Sequence, residues 1–217
     1  MNIIKRNIAL LVIIAFVVIM VVRATDFSTL SYPADTKGAK IQSPNDMSSH
    51  HADQPTADSS LFNSLVGKEA PDFTLISYKG ETVKLSSFRG KNVILFFNEG
   101  VMCYPSCWNQ ITALNNDKTL NNTNTISLSI NVDSTGKWEE AVTKMPELAD
   151  ATVLLDTNRT VSQLYGVLNV PSSMHKGQFP GHSYVVIDKD GVVKFVKDDI
   201  QMGIRNNELT AALDIVN

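Results

Sequence analysis

The chain holds two cysteines, Cys103 and Cys107, in "NEGVMCYPSCWNQ" (98–110). Two thiols at this spacing can make a structural bridge, a redox pair or a clamp for a soft metal. Pro105 between them suits the start of a helix, where a missing N–H costs nothing. That sets Cys103 just before a helix and Cys107 in its first turn. Helical geometry at a ~1.5 Å rise separates Cα atoms four residues apart by about 6 Å. This lies within the disulfide range of roughly 4.4–6.8 Å. Free N–H groups and the positive dipole end favour a thiolate on Cys103. Cys103 is then the attacking sulfur and Cys107 the resolving one. A bridge that only staples so short a loop gains less than the ~3 kcal/mol of a fifteen-residue loop.

Other side chains nearby bear on each alternative. Glu99 ends the preceding apolar run and is a candidate proton shuttle to a leaving thiolate. Met102, Met174, His175 and His182 add soft or borderline ligands, the last three in "SSMHKGQFPGH" (172–182). Trp108, Ile111 and Leu114 lie at helical spacing and read as core, as does Tyr165.

The elements that must position these groups follow from periodicity. "DFTL" (72–75) and the alternation at 82–85 flank Lys79-Gly80, a hairpin. "NVILFFN" (92–98) is a near-continuous apolar run, as in a strand buried on both faces, and "TISLSINV" (125–132) reads as the next buried strand. A helix runs from Pro105 to Leu120, a second over 138–145 up to Pro146, and a third over 158–167. A strand lies at 151–156. Strands at 183–188 and 192–196 flank the hairpin signal Asp190-Gly191. A last helix covers 206–216, with Asn206 or Asn207 as its cap. Strand and helix alternate, then a hairpin and a helix close the chain. The result is an α/β domain with parallel central strands and an antiparallel end.

The N-terminal part is different in kind. Fifteen apolar residues, Ile8 to Val22, follow Lys5 and Arg6 and precede Arg23. They read as a membrane anchor or signal segment over 1–24, about 22 Å long as a helix. Residues 25–60, rich in Ser, Asp, Thr, Ala and Pro, read as a flexible tether carrying solvated His50 and His51. The globular domain is 61–217. A single-pass protein with this domain outside the cell membrane is the expectation, where one disulfide would persist. Net charge is −3 with no basic block beyond the flanks of the apolar run, so nucleic acid is not a partner.

This order of elements, with two cysteines between the first buried strand and its helix, resembles the thioredoxin-like superfamily. It is most similar to redoxin domains of the alkyl hydroperoxide reductase/thiol-specific antioxidant type. "GKEAPDFTL" (67–75), "VKLSSFRGKNVILFF" (83–97), "QLYGV" (163–167) and "YVVIDKDGVV" (184–193) carry the resemblance. It implies a thioredoxin-like α/β/α sandwich with a mixed central sheet and an N-terminal β-hairpin extension. It also implies an antioxidant thiol–disulfide oxidoreductase, with no cofactor, acting on a protein thiol or disulfide alongside a reducing or oxidising partner. A peroxiredoxin-like thiol peroxidase is the alternative. Its active site would put proline seven residues and threonine three residues before the attacking cysteine. Phe96 and Gly100 stand there. His182 stands at the usual arginine, near where thioredoxins carry a cis-proline, with Pro180 two residues earlier. As a cation across from the pair, His182 would stabilise the Cys103 thiolate. The Cys-x-x-x-Cys pair with a downstream histidine also resembles Sco-type copper carriers, which makes Cys103, Cys107 and His182 or His175 an alternative copper site.

Overall fold

In the computed structural model, residues 55–216 are described. Seven strands form one mixed sheet: β1 Thr74–Ser77, β2 Thr82–Lys84, β3 Asn92–Phe97, β4 Thr125–Asn131, β5 Val153–Leu155, β6 Ser183–Ile187 and β7 Val193–Asp198. Their spatial order is β2-β1-β5-β4-β3-β6-β7. The central strands pair in parallel, β3 with β4 and β4 with β5. Every other pairing is antiparallel, including β1 on β5 and β6 on β3.

All six residues of β3 are buried, because helices cover both faces of the sheet. Side chains alternate along a strand. Ile94 and Phe96 therefore join a core that holds Cys103, Cys107 and Trp108. Val93, Leu95 and Phe97 join a second core with Phe62 and Tyr165. The helices are α1 Ser60–Asn63, α2 Ser106–Asn116, α3 Thr135–Lys144, α4 Thr160–Leu164 and α5 Asn206–Val216. Trp108, Trp138 and Leu209, from α2, α3 and α5, share the cysteine-side core, while Phe62 and Val161, from α1 and α4, lie in the other. The expected α/β/α sandwich is the observed fold.

The differences from the sequence reading are local. Helix α2 starts one residue after Pro105, and it stops at Asn116 rather than Leu120. Beyond it the Asn-rich segment makes its own turn, with Asn122 Oδ1 accepting from the backbone N–H groups of Asn124 and Thr125. Helix α3 begins earlier than expected, capped by Ser134, which accepts from Lys137 N. Neither Asn206 nor Asn207 caps α5. Asn206 is its first residue and donates to Ala113 O and Asp117 Oδ2. Residues 55–60 are not all tether: Asp58 N donates to Asn169 O, and Ser60 opens α1. Residues 1–54, with the apolar run, His50 and His51, lie outside the described residues. Among the described residues no helix is long and apolar enough to cross a membrane.

Helix α4 has only five residues and depends on a buried side chain at its start. Asp156 accepts from Val161 N at 3.2 Å, Ser162 N at 2.7 Å and Ser162 Oγ at 2.7 Å. Asp156→Ala would leave these donors unpaired, and one orphaned buried donor costs ~1–3 kcal/mol. The expected loss is about 2–4 kcal/mol. A chemical denaturation midpoint within error of wild type would contradict it.

Candidate active site

The end of β3 delivers the chain into a short 3₁₀ turn, Gly100–Met102, then Cys103, then α2. The turn is held from below: Val101 N donates to Asp133 Oδ2 at 2.8 Å, and Gly100 N to Asn98 Oδ1 at 2.9 Å. Burial raises the Asp133 carboxyl above the usual range, offset in part by that N–H. Gly100 has φ +64°, and a Cβ there would lie 1.8 Å from Asp133 Oδ2. No threonine fits at this position without displacing Asp133.

Cys103 and Cys107 are joined as a disulfide, with Cα atoms 5.3 Å apart. Cys107 N donates to Cys103 O at 2.9 Å, so the bridge spans the entry to α2. Pro105 occupies the cap position of α2, and the Tyr104–Pro105 peptide is the one cis bond among the described residues. Pro180 is therefore not a cis-proline. Cys103 is 4 % exposed and Cys107 fully buried. The neighbours of Cys103 lie open, Tyr104 at 68 % and Met102 at 49 %. Trp108 donates from Nε1 to Gly100 O and packs edge-on against Tyr104. With Val101 they border a cavity of about 530 Å³, closed on the far side by Lys137, Glu140 and Lys144. Trp108 thus serves both core and groove.

His182 reaches the pair, but from the Cys107 side. Its Nδ1 lies 3.5 Å from Cys107 Sγ, and its Nε2 lies 2.8 Å from the Tyr184 hydroxyl. Phe96, at the proline position, stacks on Tyr184 with centroids 4.8 Å apart and meets His182 edge-on at 4.6 Å. The residues at the expected proline and arginine positions therefore meet behind Cys107 Sγ. Burial pushes the His182 pKa down to about 4, against the opposing pull of Asp199 and the Gly203 carbonyl. The expected imidazolium is thus a neutral imidazole, because nothing beside it outweighs its desolvation. Linkage gives the sign. In the unfolded chain the ring titrates near 6.5, so between that pH and about 4 the unfolded state binds the extra proton. Stability is full above this window and falls through it on acidification, by about 3 kcal/mol. Denaturation midpoints at pH 7 and pH 4 should show this loss in wild type and a smaller one in His182→Asn. Equal losses would contradict it.

Glu99 is elsewhere engaged. It is 1 % exposed, and its carboxylate accepts from Met174 N at 2.6 Å, His175 N at 3.2 Å and pairs with His175 Nδ1 at 3.2 Å. It latches the 172–181 segment to the end of β3 and is not placed as a proton shuttle. His175 is not among the residues whose ligand atoms converge on the cysteine pair. Cys103, Cys107 and His182 do converge, one ligand atom from each lying within 4.8 Å of the others. With the disulfide open these three residues could hold a soft cation; closed, the sulfurs are committed to each other. Tyr165 is core, its hydroxyl donating to Pro71 O. Tyr184 is the site residue the sequence reading passed over. Its signal was its place two positions after His182 on a strand, hence on the same face.

The AhpC/TSA family model matches residues 66–196. Peroxiredoxin Bcp of Escherichia coli is 32% identical over 137 residues, covering 62% of this chain and 86% of that protein. The mitochondrial 2-cys peroxiredoxin of Plasmodium falciparum superposes with a TM-score of 0.59 at 28% identity, over 70% of this chain and 94% of that one. Peroxidoxin BcpB of Mycobacterium tuberculosis, at 23% identity and a TM-score of 0.57 over 70% and 97% of the two chains, shares the fold.

The family match leaves out the apolar run at 8–22. The expected single-pass placement with an exported domain is corrected accordingly. Among the described residues no helix is long and apolar enough to cross a membrane, and the likeness to peroxiredoxins rests on the redoxin domain. The matches and the fold agree that the chain is a thiol-based oxidoreductase, and it belongs to the AhpC/TSA family.

Proposed function

We propose that the domain is a peroxiredoxin-type thiol peroxidase in which Cys103 attacks and Cys107 resolves. The observation that carries this is the Cys103–Cys107 bridge at the entry to α2, with Cys103 the sulfur nearer solvent. The Cys103 thiolate attacks the terminal hydroperoxide oxygen, the O–O bond breaks, and the departing alkoxide or hydroxide takes a proton from water to leave as alcohol or water. Cys103 becomes a sulfenic acid. Cys107 attacks that sulfur, water leaves, and the disulfide closes. A dithiol partner supplies two electrons through a mixed disulfide on Cys103.

A specific observation favours a second reading, thiol–disulfide exchange with a protein substrate. Phe96, Gly100 and neutral His182 stand where the family resemblance puts proline, threonine and arginine. A preorganised donor is typically worth several kcal/mol of transition-state stabilisation, so hydrogen peroxide is expected to react slowly for this family. The test is stopped-flow oxidation of the reduced protein by hydrogen peroxide and by a bulky organic hydroperoxide. Formation of the 103–107 disulfide faster than oxidation of free cysteine supports the peroxidase. If neither peroxide exceeds that rate while a protein disulfide is captured on Cys103, the exchange reading takes its place.

A further inference from the structure

The contacts of His182 fix more than its position. The Tyr184 hydroxyl is fully buried, and its hydrogen-bond partner among the described residues is His182 Nε2. A buried phenol proton without an acceptor is costly, so the O–H donates to Nε2. A neutral imidazole that accepts at Nε2 carries its hydrogen on Nδ1. Nδ1 is the atom 3.5 Å from Cys107 Sγ. A disulfide sulfur has no proton to give, so this contact is a hydrogen bond only in that tautomer. Phe96, packed on both rings, holds their orientation. The Gly203 backbone also hydrogen-bonds the ring, as a second acceptor for its hydrogen, and the charges of Asp199 and Arg205 act on it. The last two are paired at 2.7 Å.

We propose that His182, held in its Nδ1–H form by the Tyr184 hydroxyl, donates a hydrogen bond to Cys107 Sγ and so makes Cys107 the leaving group when the disulfide is reduced. This rests on the reading that the pair cycles. The reductant's thiolate attacks Cys103 Sγ and forms a new S–S bond there. The Cys103–Cys107 bond breaks, and its electron pair goes to Cys107 Sγ. That thiolate is fully buried, where desolvation would otherwise oppose it. The His182 N–H stabilises the charge until a proton arrives from water. A second reductant thiolate then attacks the reductant sulfur of the mixed disulfide. It leaves as the oxidised reductant and releases the Cys103 thiolate. Two thiols are oxidised and one disulfide is reduced. Leaving-group stability is one of the terms that sets exchange rates, so the imidazole would direct attack to Cys103 as well as speed it.

Two measurements on the full chain test this. In ¹⁵N-histidine protein, long-range correlation spectra report which ring nitrogen of His182 is protonated, with His182→Asn assigning the signals. Protonated Nδ1 and bare Nε2 are expected in both redox states at neutral pH; protonated Nε2 would overturn the proposal. The second is the rate of disulfide opening by glutathione, followed by acid quench. His182→Leu should slow it about 10- to 100-fold, the worth of a hydrogen bond to a charged group. His182→Asn keeps an N–H near the Nδ1 position and should recover most of that loss. Tyr184→Phe should slow opening by a smaller factor. An unchanged rate in His182→Leu, or no recovery in His182→Asn, would overturn the proposal. A wild-type disulfide inert to every thiol would instead sink the cycling reading, whichever tautomer the spectra show.

Discussion

Replacing Cys103 with serine is expected to reduce turnover to the uncatalysed background, a loss on the order of 10³-fold or more, as for other enzymes stripped of their nucleophile. Cys107→Ser should behave differently. The attacking sulfur remains, so one round of oxidation proceeds and then stalls. A sulfenic acid on Cys103 should persist long enough for a dimedone adduct, and a thiol partner should be caught as a mixed disulfide. The asymmetry follows from exposure: Cys103 sits between open Met102 and Tyr104, whereas Cys107 is closed in behind Trp108 and His182. Mass spectrometry of the two variants after peroxide and dimedone checks the assignment. An adduct on Cys107 in Cys103→Ser, and none on Cys103 in Cys107→Ser, would exchange the two roles.

Gly100→Thr should fail to restore a family-like peroxide site and should destabilise the fold by about 3–5 kcal/mol, from the left-handed backbone at this residue and the loss of the Asp133–Val101 hydrogen bond. The new Cβ would overlap Asp133 Oδ2 and lie 3.2 Å from Asn131 Cβ, so the carboxylate must leave its place for the residue to fit. Gly136→Ala is the control. Nothing lies within 4 Å of its Cβ position, and it sits in the first turn of α3, so it should be neutral or slightly stabilising. Urea midpoints of the three proteins decide this. Gly100→Thr as stable as wild type, with faster peroxide consumption, would show that the turn tolerates the substitution.

Much of the scaffold could be read from period and punctuation. The run at 93–97 is apolar at every position because β3 is covered on both faces, β4 alternates Ile126, Leu128 and Ile130 with buried small or amide side chains, and Asp190-Gly191 marks the β6–β7 turn. Helix ends were harder to read. The groups at these ends are side-chain acceptors, Asp117 taking the Thr119 N–H just after α2 and Asp156 taking the Val161 and Ser162 N–H groups at the start of α4, and they leave no periodic trace. The cysteine pair was legible because four residues across a helix start bring the Cα atoms within bonding range. His182 was found, but its charge was misjudged: a histidine beside a thiol reads as a cation until its burial is known. Glu99 was misplaced for a related reason. A strand-end carboxylate looks free in sequence, and its three donors come from a segment more than seventy residues away.

That distant attachment also bears on how the region breathes. The N–H groups of Met174 and His175 end on the Glu99 carboxylate at the tip of a central strand. Deuterium can replace those two protons only when that carboxylate lets go. The segment leading to His182 is thus moored to the same strand that leads to Cys103. A swing of 172–181 away from the sheet has to break both of these hydrogen bonds.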